Sequence, residues 1–284
     1  MVRGATVRAA LRRRPLAAFF GLAFGISWGV PGLLLGLQAL TGAFAVDLGE
    51  FTPLGYLVVW SPALSAGIVL AAHGRKSLRG LARRLARWRV HPGWWLAIAL
   101  GVPLANLLAA LGMEALGESW YRTPQASAAG FLGVAAAKAT LGPVEEVGWR
   151  GLALPLLQRR LGGLTAAVVL GLVWGLWHVP AFFVASVMQG SMVGDVAWVQ
   201  LQHFAGITAT SVILAVIWNG TRGALPPCML FHWLSNLPYP WEARGGISPV
   251  QTALLVVAAV VLAATIGRRV LAPSALVTDP APER

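Results

Sequence analysis

The sequence predicts an all-α polytopic membrane helix bundle, with about eight transmembrane helices of roughly 20 residues each. Three observations carry that expectation. The chain of 284 residues is 57% hydrophobic and only 11% charged, where a soluble domain carries about 25% charged residues. Its mean hydropathy is +0.70. Apolar stretches of spanning length recur along it, separated by short polar joints. One bundle, a single membrane domain over 1–284, is the simplest organisation.

The apolar segments run at about 15–42, 54–73, 94–116, 129–158, 163–187, 198–219, 223–237 and 249–267. The first follows Arg12, Arg13 and Arg14, and Ala43-Phe44-Ala45 mimics a signal-peptide cleavage site. Its apolar run exceeds the 7–15 residues of a signal core, so it reads as a retained span. After the second segment, Ser77 to Val90 repeats Leu and Ala between arginines. This predicts a basic amphipathic helix on the inner membrane surface, suited to anionic lipid. Trp88, Trp94 and Trp95 are interface anchors there. The fourth segment holds adjacent acids, and the fifth and seventh each hold a histidine. The seventh is short and carries Pro226, Pro227 and Pro238, so it is tilted, re-entrant or only partly spanning.

The net charge of +12 does not point to nucleic acid, because the basic residues sit at the ends of apolar segments. With the N-terminus cytoplasmic, all 22 Lys and Arg residues except Arg122, Lys138, Arg150 and Arg244 fall on the inner side. Asp47, Glu50, Glu118, Asp195 and Glu242 then fall outside. The positive-inside rule thus predicts an even number of spans with both termini cytoplasmic. The Ala-, Arg- and Gly-rich composition suggests a bacterial chain, hence the inner membrane. The single Cys228 excludes an internal disulfide and a Cys-built metal site.

Glu145, Glu146 and Arg150 are costly residues at mid-bilayer, by a few kcal/mol even on lenient insertion scales. Glu146 and Arg150 are i and i+4 with the acid first, the favourable order for an ion pair. Glu145 is rotated by about 100° from Glu146 and faces another surface. A carboxyl there, without a cation, suits a general base. A purely structural Glu146–Arg150 pair is the competing reading. His178 precedes Pro180, which can kink its helix and free backbone groups. His232 and Asn236, again i and i+4, share one helix face. Interhelical hydrogen bonding is the alternative for each of these polar residues. Counted from the inner helix ends, Glu145, His178 and His232 lie roughly 20, 22 and 14 Å deep, which one shared pocket explains. His203, His73 and His91 read as interfacial. Lys138 snorkels or pairs with an acid.

The ordered set Glu145-Glu146-x-x-x-Arg150, intramembrane His178, and His232-x-x-x-Asn236 resembles the CAAX prenyl protease and bacteriocin-processing (CPBP, or ABI) family of intramembrane proteases. The resemblance covers about residues 130–240, a catalytic core within the domain. It implies about eight helices around an intramembrane cavity that opens toward the cytoplasm and the bilayer. It also implies a peptide or protein substrate. By resemblance, Glu145 matches the glutamate that activates water, and His178 and His232 match the two essential histidines. Asn236 matches the asparagine assigned to the oxyanion, and Glu146 and Arg150 the supporting pair. Trp174 stands where the family commonly has Phe. A zinc ion on Glu145, His178 and His232 is a competent alternative, although no His-Glu-x-x-His helix exists here.

Two other classes compete. A non-catalytic scaffold or bacteriocin-immunity protein would use the same bundle. A proton-coupled transporter would place Glu and His in a relay, but it predicts an internal repeat that the sequence does not display.

Overall fold

A computed structural model describes residues 2–117, 127–188, 193–239 and 248–279. These form an all-helical bundle. A short basic helix α1 (Val2–Arg13) leads into α2 (Pro15–Phe24), a π turn at Gly25–Gly29, and α3 (Val30–Thr41). Together the last three make one apolar helix, Pro15–Thr41. Next come α4 (Pro53–His73), α5 (Arg75–Leu85) and α6 (Pro92–Ala115). The central stretch contains α7 (Ala128–Ala139), α8 (Gly142–Gly148), a second π turn at Trp149–Ala153, and α9 (Leu154–Leu161). The long pair α10 (Gly163–Met188) and α11 (Val193–Gly220) follows, then α12 (Leu225–Ser235), α13 (Pro249–Ala264) and α14 (Gly267–Val270).

Helix starts are written locally. Thr52, His91, Ser127 and Ser248 each accept an N–H from the first turn of α4, α6, α7 and α13. Proline occupies the first turn of most of these helices, where its missing N–H has no intrahelical role.

Among the described residues, five helices are long and apolar enough to cross a membrane: Pro15–Thr41, Pro53–His73, Pro92–Ala115, Gly163–Ala181 and Val196–Gly220. The protein is therefore a multi-pass membrane bundle. The three remaining apolar segments depart from the expected full-length spans. Segment 129–158 is broken between α7 and α8, because Pro143 cannot donate to the preceding turn. Leu141 takes φ −108° and ψ −101° at the break, and the Thr140 carbonyl accepts the Trp60 indole at 2.8 Å. Segment 223–237 yields only the 11 residues of α12, and 249–267 only the 16 residues of α13.

The expected basic helix forms as α5 but ends at Leu85 rather than Val90, with Arg75, Lys76, Arg79 and Arg83 exposed. Its other face packs into the bundle through Gly80, Leu81 and Arg84. Arg84 lies over the Trp218 ring at 4.9 Å and donates to the carbonyls of Gly223 and Asp279. Burial lowers its pKa to about 10, so it stays charged at neutral pH. Asn219 sits at the end of α11 and accepts the Val277 N–H at 2.8 Å. Glu118, Arg122, Glu242, Arg244 and Arg284 lie outside the described residues, as does the side chain of Asp195.

The core gathers at the centre, around Phe19, Trp149, Leu152, Trp174, Trp177 and Leu214. Two glycines let α8 reach its neighbours. A Cβ on Gly148 would lie 2.5 Å from the Pro62 carbonyl oxygen of α4. A Cβ on Gly142 would overlap Asn236 Nδ2 and lie 2.7 Å from His232 Nε2. The acidic pair is thus clamped between α4 and α12.

Candidate active site

Glu145 and Glu146 are both buried, at 4% and 0% exposure, and the bundle treats them differently. Glu146 Oε1 accepts from Arg150 at 3.1 Å and from His232 Nδ1 at 2.7 Å. The ion pair expected from i, i+4 spacing is therefore present, and His232 joins it. Arg150 also stacks over the Trp174 ring at 4.5 Å, a cation–π contact strengthened by its burial. An ionised carboxylate only accepts, so His232 Nδ1 carries the proton. Nε2 is then the nitrogen facing Gly142 and the Asn236 carboxamide.

Glu145 has no cation beside it among the described residues. Its Oε2 instead accepts two indole N–H bonds, from Trp174 at 2.9 Å and Trp149 at 3.2 Å. Among the described residues no hydrogen bond reaches Oε1. The two indoles satisfy one oxygen without a full positive charge, so the carboxyl keeps basicity that an arginine would suppress.

The π turn at Trp149–Ala153 follows the acids directly, and such bulges are frequent at functional sites. Trp149 is wedged edge-on against Phe19 and Trp177, with ring centroids 5.4 and 5.9 Å away. This packing fixes the donor that Glu145 uses.

His178 and His232 come from α10 and α12 and converge around Trp174. The Trp174 ring centroid is 5.4 Å from that of His232 and 5.8 Å from that of His178. His178 Nδ1 donates to the Trp174 carbonyl at 2.9 Å, leaving Nε2 as the basic nitrogen of the neutral ring. Asn236 caps α12, its N–H bonded to the His232 carbonyl at 3.2 Å. Trp174, His178, His232 and Asn236 all line a cavity of about 500 Å³. Glu145 sits directly behind that wall, joined to it through Trp174.

The expectation for His203 was wrong. It is not interfacial but buried at 7% exposure, and it lines the same cavity with its ring 5.1 Å from that of His178. Counting it from one end of α11 hid the fact that this helix face turns inward. His73 and His91 are exposed at helix ends. Lys138 pairs with Glu50 at 2.6 Å.

Sequence reasoning also missed the two indole donors. Trp149 is i+4 from Glu145 and was legible as a neighbour. Trp174 was visible only as a departure from the common Phe.

The donors named for the zinc alternative are not gathered into one set. Among the described residues, no three His, Cys, Asp or Glu side chains are placed to share a metal.

Comparison with known proteins places a family likeness on this part of the chain. Residues 127–238 match the family model described as type II CAAX prenyl endopeptidase, Rce1-like. CAAX prenyl protease 2 of Methanococcus maripaludis is 33% identical over 93 residues, which cover 33% of this chain and 34% of that protein. The chain thus spans about a third of the length of this curated relative. The matched stretch runs from the start of α7 to the end of α12 and contains every residue of the acid, histidine and asparagine set. Over this stretch the chain is similar to the Rce1-like CAAX prenyl endopeptidase (CPBP) family of membrane proteases.

Proposed function

We propose that this protein is an intramembrane endopeptidase that hydrolyses a peptide bond with water activated by Glu145. The observation that carries the reading is the division between the two acids. Glu146 is neutralised by Arg150 and His232, whereas Glu145 is held by indole N–H groups and keeps one oxygen for chemistry.

In this reading Glu145 takes a proton from water as the oxygen attacks the scissile carbonyl. The developing oxyanion is held by the Asn236 Nδ2 donor, while Glu146 fixes the His232 ring through Nδ1. The carbon–nitrogen bond then breaks, and Glu145 returns its proton to the leaving amine. His178 borders the same cavity and orients the water through Nε2. A substrate of the kind named by the curated relative, a prenylated CAAX protein, suits a cavity whose walls include Ile98, Val102, Ile217 and Leu262. The shorter helices α8, α12 and α13 complete the intramembrane bundle around it. The protein resides in a bacterial inner membrane with both termini cytoplasmic.

Glu145→Gln, His178→Ala and His232→Ala should each lower cleavage of a reporter peptide in detergent by at least about a hundredfold. Wild-type processing by all three would overturn this assignment, and no cleavage by the unaltered protein would leave a non-catalytic scaffold on the same bundle.

A further inference from the structure

The end of the cavity away from the arginine-rich face carries polar groups that the hydrolytic step does not use. Asn106 lies roughly 21 Å along α6 from Pro92, and Gln202 roughly 27 Å along α11 from Gly220. Gln202 is 6% exposed, and its Oε1 has no hydrogen-bond partner. Thr252 on α13 has a buried Oγ1, also without a partner. Both line the cavity, together with Asn106 and Gln251. Gln251 Nε2 donates to Asn106 Oδ1 at 3.1 Å, tying α13 to α6. Gly206, one turn from Gln202, leaves space beside the hydroxyl. A Cβ there would meet only Thr252 Oγ1 and Leu255, each at 3.8 Å.

Buried acceptors without donors are unfavourable and rare. Two of them, on facing helices and lining one cavity, call for a ligand that brings N–H groups. The described lining contains no Lys or Arg, so a free carboxylate finds no counter-charge there. Neutral amides fit better. An extended peptide offers N–H and C=O groups along its length, and a carboxamide answers both.

We propose that Gln202 and Thr252, backed by the Asn106–Gln251 pair, form a subsite for the main chain of the substrate peptide. Gln202 Oε1 and Thr252 Oγ1 take its amide N–H groups. The inference rests on the peptide-hydrolase reading and adds how the peptide itself is held, as distinct from any attached lipid.

The test uses the full-length Glu145→Gln protein in detergent and fluorescent farnesylated peptides of the C-a-a-X pattern, each with one backbone amide N-methylated. Methylation at one position should weaken binding about tenfold, the loss of one good hydrogen bond. Adding Gln202→Met should weaken binding of the unmethylated peptide about tenfold and abolish the discrimination at that position. Thr252→Val, nearly isosteric, should do the same at a second amide, with the melting temperature unchanged. The proposal is overturned if no amide is sensitive, if both variants bind like their parent, or if the methylation penalty survives in them. Hydrolysis of the peptide by Glu145→Gln at the wild-type rate would instead overturn Glu145 as the base that activates water, and the binding comparison would still decide the subsite.

Discussion

Glu145 and Glu146 are neighbours in sequence and differ in every contact. One answers to two indoles, the other to an arginine and a histidine. This division makes separate predictions for the groups that support each acid. Trp174→Phe keeps the ring and removes the N–H that reaches Glu145 at 2.9 Å. It should lower kcat on a reporter peptide about tenfold, the scale of a hydrogen bond to a charged group, with KM little changed. Arg150→Met strands Glu146 in the core. It should destabilise the fold by about 3–5 kcal/mol in detergent denaturation. Pairing it with Glu146→Gln should recover part of that loss, because the stranded charge is gone. The i, i+4 ion pair was legible from spacing alone. The indole donors were not, because Trp174 lies 29 residues away on another helix and only packing brings it in.

At the scale of elements, the site depends on a helix that breaks. Pro143 ends the run from α7, and the following short helix then enters between α4 and α12. Gly142 and Gly148 permit that approach on opposite sides. Gly142→Ala should displace Asn236 and His232 and lower kcat by at least about tenfold. Its effect on stability should be about 1–3 kcal/mol, as for other overpacked sites. Gly148→Ala, which presses on Pro62, should show the opposite balance, losing melting temperature more than activity retained at low temperature. Sequence periodicity marked a single apolar stretch here and missed the break. Proline inside an apolar run is compatible with a kinked span as well as a broken one, and Trp60 decides by binding the freed Thr140 carbonyl.

Across the whole molecule, basic residues gather at one end. Arg75, Lys76, Arg79 and Arg83 are exposed on α5, while Arg84 is drawn inward to the Trp218 ring and the C-terminal segment. If this end is cytoplasmic, a cysteine introduced at Arg79 should react with an impermeant maleimide in inverted membrane vesicles and not in intact cells. The native Cys228 is buried and gives little background. Labelling in intact cells would reverse the orientation derived from charge.

The sequence by itself determined the membrane-bundle class, the basic face, the Glu146–Arg150 pair and the candidate residues of the site. Each of these follows from composition, local spacing or the cost of charge in an apolar segment. Only the tertiary structure decided which acid is held by indoles, which histidine joins the ion pair, and that His203 faces the cavity. It also decided that the acidic segment is a broken helix clamped by two glycines. Those features arise where separate helices meet, and helical periodicity carries no information about which faces meet.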